Sequence, residues 1–204
     1  MQAQVPSAGE ATKFIYLLPS ILERIEPAKL FPRTQTLEVE LGSGDGTFLV
    51  EYARRHPERN FIGVERLLGR IRKLESKGKR AAVSNLRGVR IESSYFIEFL
   101  LPAHCVSALH IYFPDPWPKR KHRRHRLINE RFPEIAHTIL TANGLVYLRT
   151  DDGDYFGQML EVFGKSRQFC AVDTPTDLAE LLTDFEREFQ ARGISTLRAA
   201  YRTM

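Results

Sequence analysis

Apolar positions along the chain follow two rhythms. Short, nearly continuous runs of apolar and β-prone residues at 36–41, 60–65, 89–92, 106–113 and 144–149 predict strands, as expected for a sheet covered on both faces. Between them, apolar residues three and four apart predict helices over 47–56, stopped by Pro57, and over 67–79, 127–140 and 155–163, with a helix-like turn at 96–101. An earlier helical pattern covers 14–25, closed by Pro27, and a loop follows through Pro32. Residues 1–11 are small and polar and are expected to fray. Strands alternating with helices predict an α/β fold with a doubly wound, mostly parallel sheet. The tail breaks the alternation: 167–172 and 196–202 read as strands around one helix, 177–192, and predict an antiparallel pair at the edge of that sheet.

A chain of 204 residues suits one domain spanning 1–204. Its net charge is +5, yet the segment from Lys119 to Arg126 alone carries +6, so the rest of the chain stands near −1. Basicity confined to one segment points to a docking surface for phosphates, against the plainer alternative of a solvated charged loop. Cys105 and Cys170 lie far apart without metal-ligand spacing, which argues for small core residues and against a disulfide framework or a metal site. No apolar run approaches the ~18–20 residues of a membrane span. Glu10 and Lys13 interrupt any signal-peptide pattern, so the sequence predicts a cytoplasmic protein.

The first predicted strand ends in Gly42-Ser43-Gly44-Asp45-Gly46, a turn in which glycines let the backbone approach a ligand closely. The spacing is not that of a dinucleotide fingerprint, whose third glycine would fall at Thr47, and no phosphate-binding lysine follows. Glu40 and Asp45 flank the turn with negative charge that would repel a pyrophosphate. A cofactor that lacks phosphates and carries positive charge fits better, and S-adenosylmethionine has a sulfonium and an ammonium. Glu65 closes the second strand 25 residues after Glu40, where a carboxylate can accept both hydrogen bonds of a ribose diol. Glu38 falls on a sheet face and reads as a surface-facing or paired structural group, and His110, inside the fourth strand, reads as a satisfied core histidine.

The fourth strand runs into Phe113-Pro114-Asp115-Pro116-Trp117-Pro118, and directly behind it stand Lys119, Arg120, Lys121, His122, Arg123, Arg124, His125 and Arg126. Thr150-Asp151 follows the fifth strand, and Thr183-Asp184-Phe185-Glu186 with Gly193 lies near the end. These three motifs, in this order, resemble the bacterial tRNA (guanine-N7-)-methyltransferases, of class I, Rossmann-like, S-adenosylmethionine-dependent type, over most of the chain. The resemblance implies methyl transfer to N7 of a guanine in the tRNA variable loop, with tRNA as partner and the protein acting as a monomer or homodimer. It implies that Glu40, Gly42, Gly44, Gly46, Glu65, Ser93 and Asp115 contact the cofactor and that Asp115 is the active-site acid. Lys119, Asp151, Thr183, Asp184, Phe185 and Glu186 would address the substrate, and Arg120, Lys121, Arg123, Arg124 and Arg126 its phosphates. Trp117 either stacks on a base or packs the loop. The chain departs from the family at Ser93-Ser94, where an acid or amide followed by a small residue is usual, and at Asp45, where a basic residue is often found.

Overall fold

The computed structural model describes residues 13–204, so the fraying expected of 1–11 lies outside the described residues. Strands β1 (Ile15–Tyr16), β2 (Thr36–Leu41), β3 (Arg59–Val64), β4 (Leu86–Val89), β5 (Val106–Tyr112), β6 (Leu140–Thr150), β7 (Phe169–Val172) and β8 (Leu197–Thr203) form one sheet, in the order β1-β4-β3-β2-β5-β6-β8-β7. All neighbours are parallel except β6 with β8 and β8 with β7. Only β8 therefore runs against the sheet, inserted between β6 and the outermost β7. From β2 the chain steps outward through β3 and β4, then returns to the other side of β2 for β5. That reversal opens a crevice at the carboxyl ends of β2 and β5, where sheets of this kind hold ligands.

Helices cover both faces. Helices α1 (Thr47–Arg55) and α2 (Leu68–Arg80) bury Leu49, Ile71 and Leu74 completely on one side, each contributing about 1.5–3 kcal/mol of apolar burial. The short α3 (Ser93–Tyr95) continues into a wide π turn, Phe96–Leu100, and with α4 (Phe132–Ile139) and α5 (Gly153–Lys165) it covers the other side. The doubly wound sheet with an antiparallel C-terminal pair, read from the alternation of patterns, is the observed architecture.

Four expected elements differ. Residues 14–25 form no helix, because Pro19 stands in the middle of that pattern, where it removes a donor and clashes with the preceding turn. The segment instead adds β1 to the edge of β4, with Gly88 donating its N–H to the Phe14 carbonyl at 2.9 Å and the Phe14 ring filling the space that Gly78 leaves on α2. The third strand lies at Leu86–Val89, not 89–92, in register with β3. The helix expected over 127–140 begins only at Phe132, with Pro133 in its first turn, where a missing N–H costs nothing. The tail helix is two: α6 (Thr176–Glu180) and α7 (Asp184–Ala191), separated where Thr183 caps the second.

Candidate active site

The glycine turn leaves β2 with the N–H groups of Gly42 and Ser43 both donating to the Val64 carbonyl at 2.9 Å. Gly42, Gly44 and Gly46 all take positive φ, and a Cβ on Gly46 would collide with Leu74 of α2. Asp45 flanks the turn as expected but is not among the residues that line the cleft, and its charge is paired. Its carboxylate accepts hydrogen bonds from Thr47 and pairs with Lys77 Nζ at 2.8 Å. Burial pushes the Asp45 pKa up, but the hydrogen bonds from Lys77 and Thr47 outweigh it and hold the group below its ordinary value.

Glu40 is the opposite case. Its side chain is buried, and Oε2 has no hydrogen-bond partner among the described residues. Burial raises its pKa to about 8, against the attraction of Arg149 and with the repulsion of Asp45 and Glu65 added. A buried carboxyl without a partner is costly, and a ligand ammonium is the chemical complement it lacks. Glu65, also buried, accepts from the Leu67 N–H through Oε1 at 2.7 Å, and its Oε2 lies 3.9 Å from Arg70 Nη1. An ammonium acceptor and a carboxylate with capacity for a diol are what the donor set of S-adenosylmethionine requires.

A cleft of about 300 Å³ opens at the sheet's reversal point and brings together Gly42, Glu65, Ser93, Asp115 and Trp117. Glu40, Gly44 and Gly46, expected beside the cofactor, are not among its lining residues. Glu92, unremarked in the sequence, lines it beside Ser93 and caps α3 by accepting from the Ser94 and Tyr95 N–H groups at 3.1 and 2.8 Å. Burial raises the Glu92 pKa, and hydrogen bonds from Ser94 and Tyr95 more than offset this to leave it lowered. An acid immediately before Ser93-Ser94, in the capping position ahead of a helical turn, is the signal that could have revealed it. Arg66, Arg70 and His125 also line the cleft.

Asp115 projects from the end of β5 with 73% of its side chain exposed, and its nearest cation is Arg66, at 3.9 Å. The loop that carries it is held in an unusual shape. Phe113 and Trp117 both take positive φ, a costly conformation for aromatic residues. Phe113 is fixed by its N–H to the Arg149 carbonyl at 2.8 Å. Trp117 packs against the rings of His122 and His125 while still lining the cleft.

The basic run forms a 3-10 turn, Arg120–His125. Lys119, Arg120, Lys121 and Arg124 are exposed, whereas Arg123 pairs with Asp154 at 2.8 Å. Arg126 is not a phosphate contact in this arrangement, a correction to the sequence reading. It is buried over the Tyr155 ring and donates to the Pro116 carbonyl, Gln158 and Asp154 at 2.7, 2.8 and 2.6 Å, fastening the Asp115 loop to α5.

The tail motif divides in the same way. Glu186 is fully buried: Oε2 accepts from the Thr183 N–H at 2.8 Å and from Arg149 at 2.7 Å, and Oε1 accepts from Arg198 at 2.7 Å. Thr183 is buried as the cap of α7. Neither is presented as the substrate contact expected of it, a further correction, because Thr183 is consumed in capping α7 and Glu186 in holding that helix to β6 and to Arg198 of β8. Asp184 and Phe185 remain exposed, Asp184 paired with Arg187, and the Phe185 ring lies 5.7 Å from that of Phe113. Asp151 is exposed just past the end of β6. Glu38 and His110 are buried and pair with each other at 2.7 Å, so Glu38 takes the paired role and not the surface-facing one, with Arg59 on Glu38 and the Tyr112 hydroxyl on His110. Among the described residues no cluster of His, Cys, Asp or Glu is arranged to hold a metal ion, and no helix is long and apolar enough to cross a membrane.

A family profile described as "Putative methyltransferase" matches residues 34–201. A tRNA (guanine-N(7)-)-methyltransferase of Thermotoga maritima is 32% identical over 170 residues, covering 83% of this chain and 54% of that protein. One of Marinobacter nauticus is 32% identical over 174 residues, covering 83% of this chain and 73% of that protein. The chain thus spans about half the length of the first relative and nearly three quarters of the second. In fold it is similar to the 16S rRNA methyltransferase KamB, with a TM-score of 0.64 at 14% identity over 88% of this chain and 94% of that one. An rRNA methylase from Streptococcus thermophilus gives 0.56 at 11% identity over 83% and 87%. With the Pro-Asp-Pro-Trp loop at the mouth of a class I methyltransferase sheet, this chain belongs to the bacterial tRNA (guanine-N7-)-methyltransferase family.

Proposed function

We propose that the protein transfers a methyl group from S-adenosylmethionine to N7 of a guanine in the tRNA variable loop, by in-line attack of the N7 lone pair without general-base deprotonation. The observation that carries this reading is Asp115, an exposed carboxylate whose ion pair is a long one, to Arg66 at 3.9 Å, and which lines the cleft at the sheet's reversal point with the acids Glu65 and Glu92 and with His125 of the cationic turn. When bound, S-adenosylmethionine supplies an activated methyl on a sulfonium, with an ammonium and a ribose diol as handles. Glu40 is the acceptor for the ammonium and Glu65 for the diol, while the Ser93 hydroxyl and Glu92 suit the adenine end. Gly42, Gly44 and Gly46 keep the turn tight enough for close approach.

Guanine N7 carries no proton, so no residue needs to abstract one. Asp115 accepts hydrogen bonds from the guanine N–H groups, fixing the lone pair's direction, and faces the positive charge that grows on the imidazole ring. Lys119, Arg120, Lys121 and Arg124 grip phosphates and set register without reading sequence. Asp151, Asp184 and Phe185 stand at the ends of β6 and α7 to meet the nucleoside's flank. We place this activity in one domain spanning the chain and, given its substrate, in the cytoplasm.

Nucleoside analysis of tRNA incubated with the protein and S-adenosylmethionine is expected to yield 7-methylguanosine; another modified base, or none, overturns the reading. Asp115→Asn is expected to slow transfer by ~100-fold or more while tRNA affinity changes little. Equal loss of both would make Asp115 a structural residue.

A further inference from the structure

Helix α2 carries Arg70, Arg72, Lys73, Lys77, Lys79 and Arg80 against a single acid, Glu75. Arg70, Lys73, Lys77 and Arg80 recur at three and four residues, so they share one face, beside the buried seam of Ile71, Leu74 and Gly78. The stripe starts at the cleft, which Arg70 lines, and extends ~15 Å along the helix at ~1.5 Å per residue. Arg66, just ahead of the helix, reaches toward Asp115 at 3.9 Å. Lys77 is committed to Asp45, but Lys73 and Arg80 are exposed and have no acidic partner among the described residues.

Along its face and at its start this placement opposes helix stability, although Lys77, Lys79 and Arg80 in the last turn suit the negative end of the dipole. Like charges three and four apart repel. The first turn has no acid and no side-chain cap, although it holds Arg70 at the positive end of the helix dipole. Helices α5 and α7 follow the opposite rule, with side-chain caps at Asp152 and Thr183 and acids in their first turns. Helix α1 likewise lacks a side-chain cap and a first-turn acid, so what sets α2 apart is the stripe of like charges itself, and a local conflict of this kind marks a surface kept for function. The turn across the cleft is also weaker than its sequence suggests, since Arg123 and Arg126 are turned to Asp154.

We propose that the α2 stripe is a second phosphate-binding track for the tRNA, on the wall of the cleft opposite the turn Arg120–His125. The target nucleotide would then be held between two backbone grips. This rests on the tRNA reading given above. The test is the salt dependence of tRNA affinity for the full chain and for the double variant Lys73→Gln/Arg80→Gln, between about 50 and 200 mM salt. Loss of two phosphate contacts is expected to lower the slope of log K against log salt by about 1.5, with the S-adenosylmethionine Kd and the circular dichroism of the helices unchanged. An unchanged slope with tight binding and methylation intact makes α2 a solvated face and overturns the track alone. Absence of tRNA binding and methylation in the unaltered protein overturns the tRNA reading itself, and the track with it.

Discussion

On the proposed function, donor binding turns on Glu40. Its folded pKa of about 8 exceeds the ordinary 4.5, so between those values the ligand-free folded protein holds a proton that the unfolded chain releases. Stability is therefore expected to fall as pH rises from about 4.5 to about 8, and Glu40→Gln to flatten that fall in urea titrations at several pH values. An ammonium seated on Glu40 expels the proton. Calorimetry of S-adenosylmethionine binding near pH 7, in buffers of different ionisation enthalpy, should register proton release that Glu40→Gln abolishes; equal heats for the unaltered protein would contradict the assignment. The sequence marks Glu40 as a strand-end acceptor, but not as unpartnered. That depends on which charges the fold brings near it: Arg149 attracts it without a hydrogen bond, and Asp45 and Glu65 repel it. Arg126 is hidden in sequence for a similar reason, since a basic run does not say which cations a 3-10 turn directs inward.

Helix α7 and strand β6 are fastened through Arg149, which donates to the Leu178 and Leu181 carbonyls and to Glu186 and lies 4.3 Å over the Tyr112 ring. Removing one partner of such a buried pair leaves the other uncompensated. Glu186→Ala is accordingly expected to destabilise the protein by about 3–5 kcal/mol in chemical unfolding. An unchanged unfolding midpoint with a selective loss of tRNA methylation would return Glu186 to the substrate. Thr183 and Glu186 spell a capping box in the sequence, yet periodicity alone joins 177–192 into one helix. The break follows from Arg149 taking the carbonyls of Leu178 and Leu181, a contact from another strand. Pro19 is the contrasting case: its effect on 14–25 is local and readable, and the apolar spacing around it is misleading because Leu17, Ile21 and Leu22 face solvent.

For the molecule as a whole, the alternation of patterns suffices for the sheet and for the crevice at its reversal point, since both follow from strand order. Charge does not transfer so directly. Cationic charge is concentrated in two segments, +6 over 119–126 and +5 over α2, against a net +5 for the chain, and cations in each are spent on internal pairs. Function on this account is a division of labour across the crevice: acids on the donor side, cations on the RNA side, and Asp115 between them. The central claim is that the nucleophile is guanine N7. It is tested most directly by single-turnover transfer of labelled methyl to tRNA in which the variable-loop guanine is replaced by 7-deazaguanine, with binding measured in parallel. The account predicts binding close to that of ordinary tRNA and no label at that nucleotide. Label transferred to the 7-deaza tRNA at that position, at a rate near the ordinary one, would contradict it.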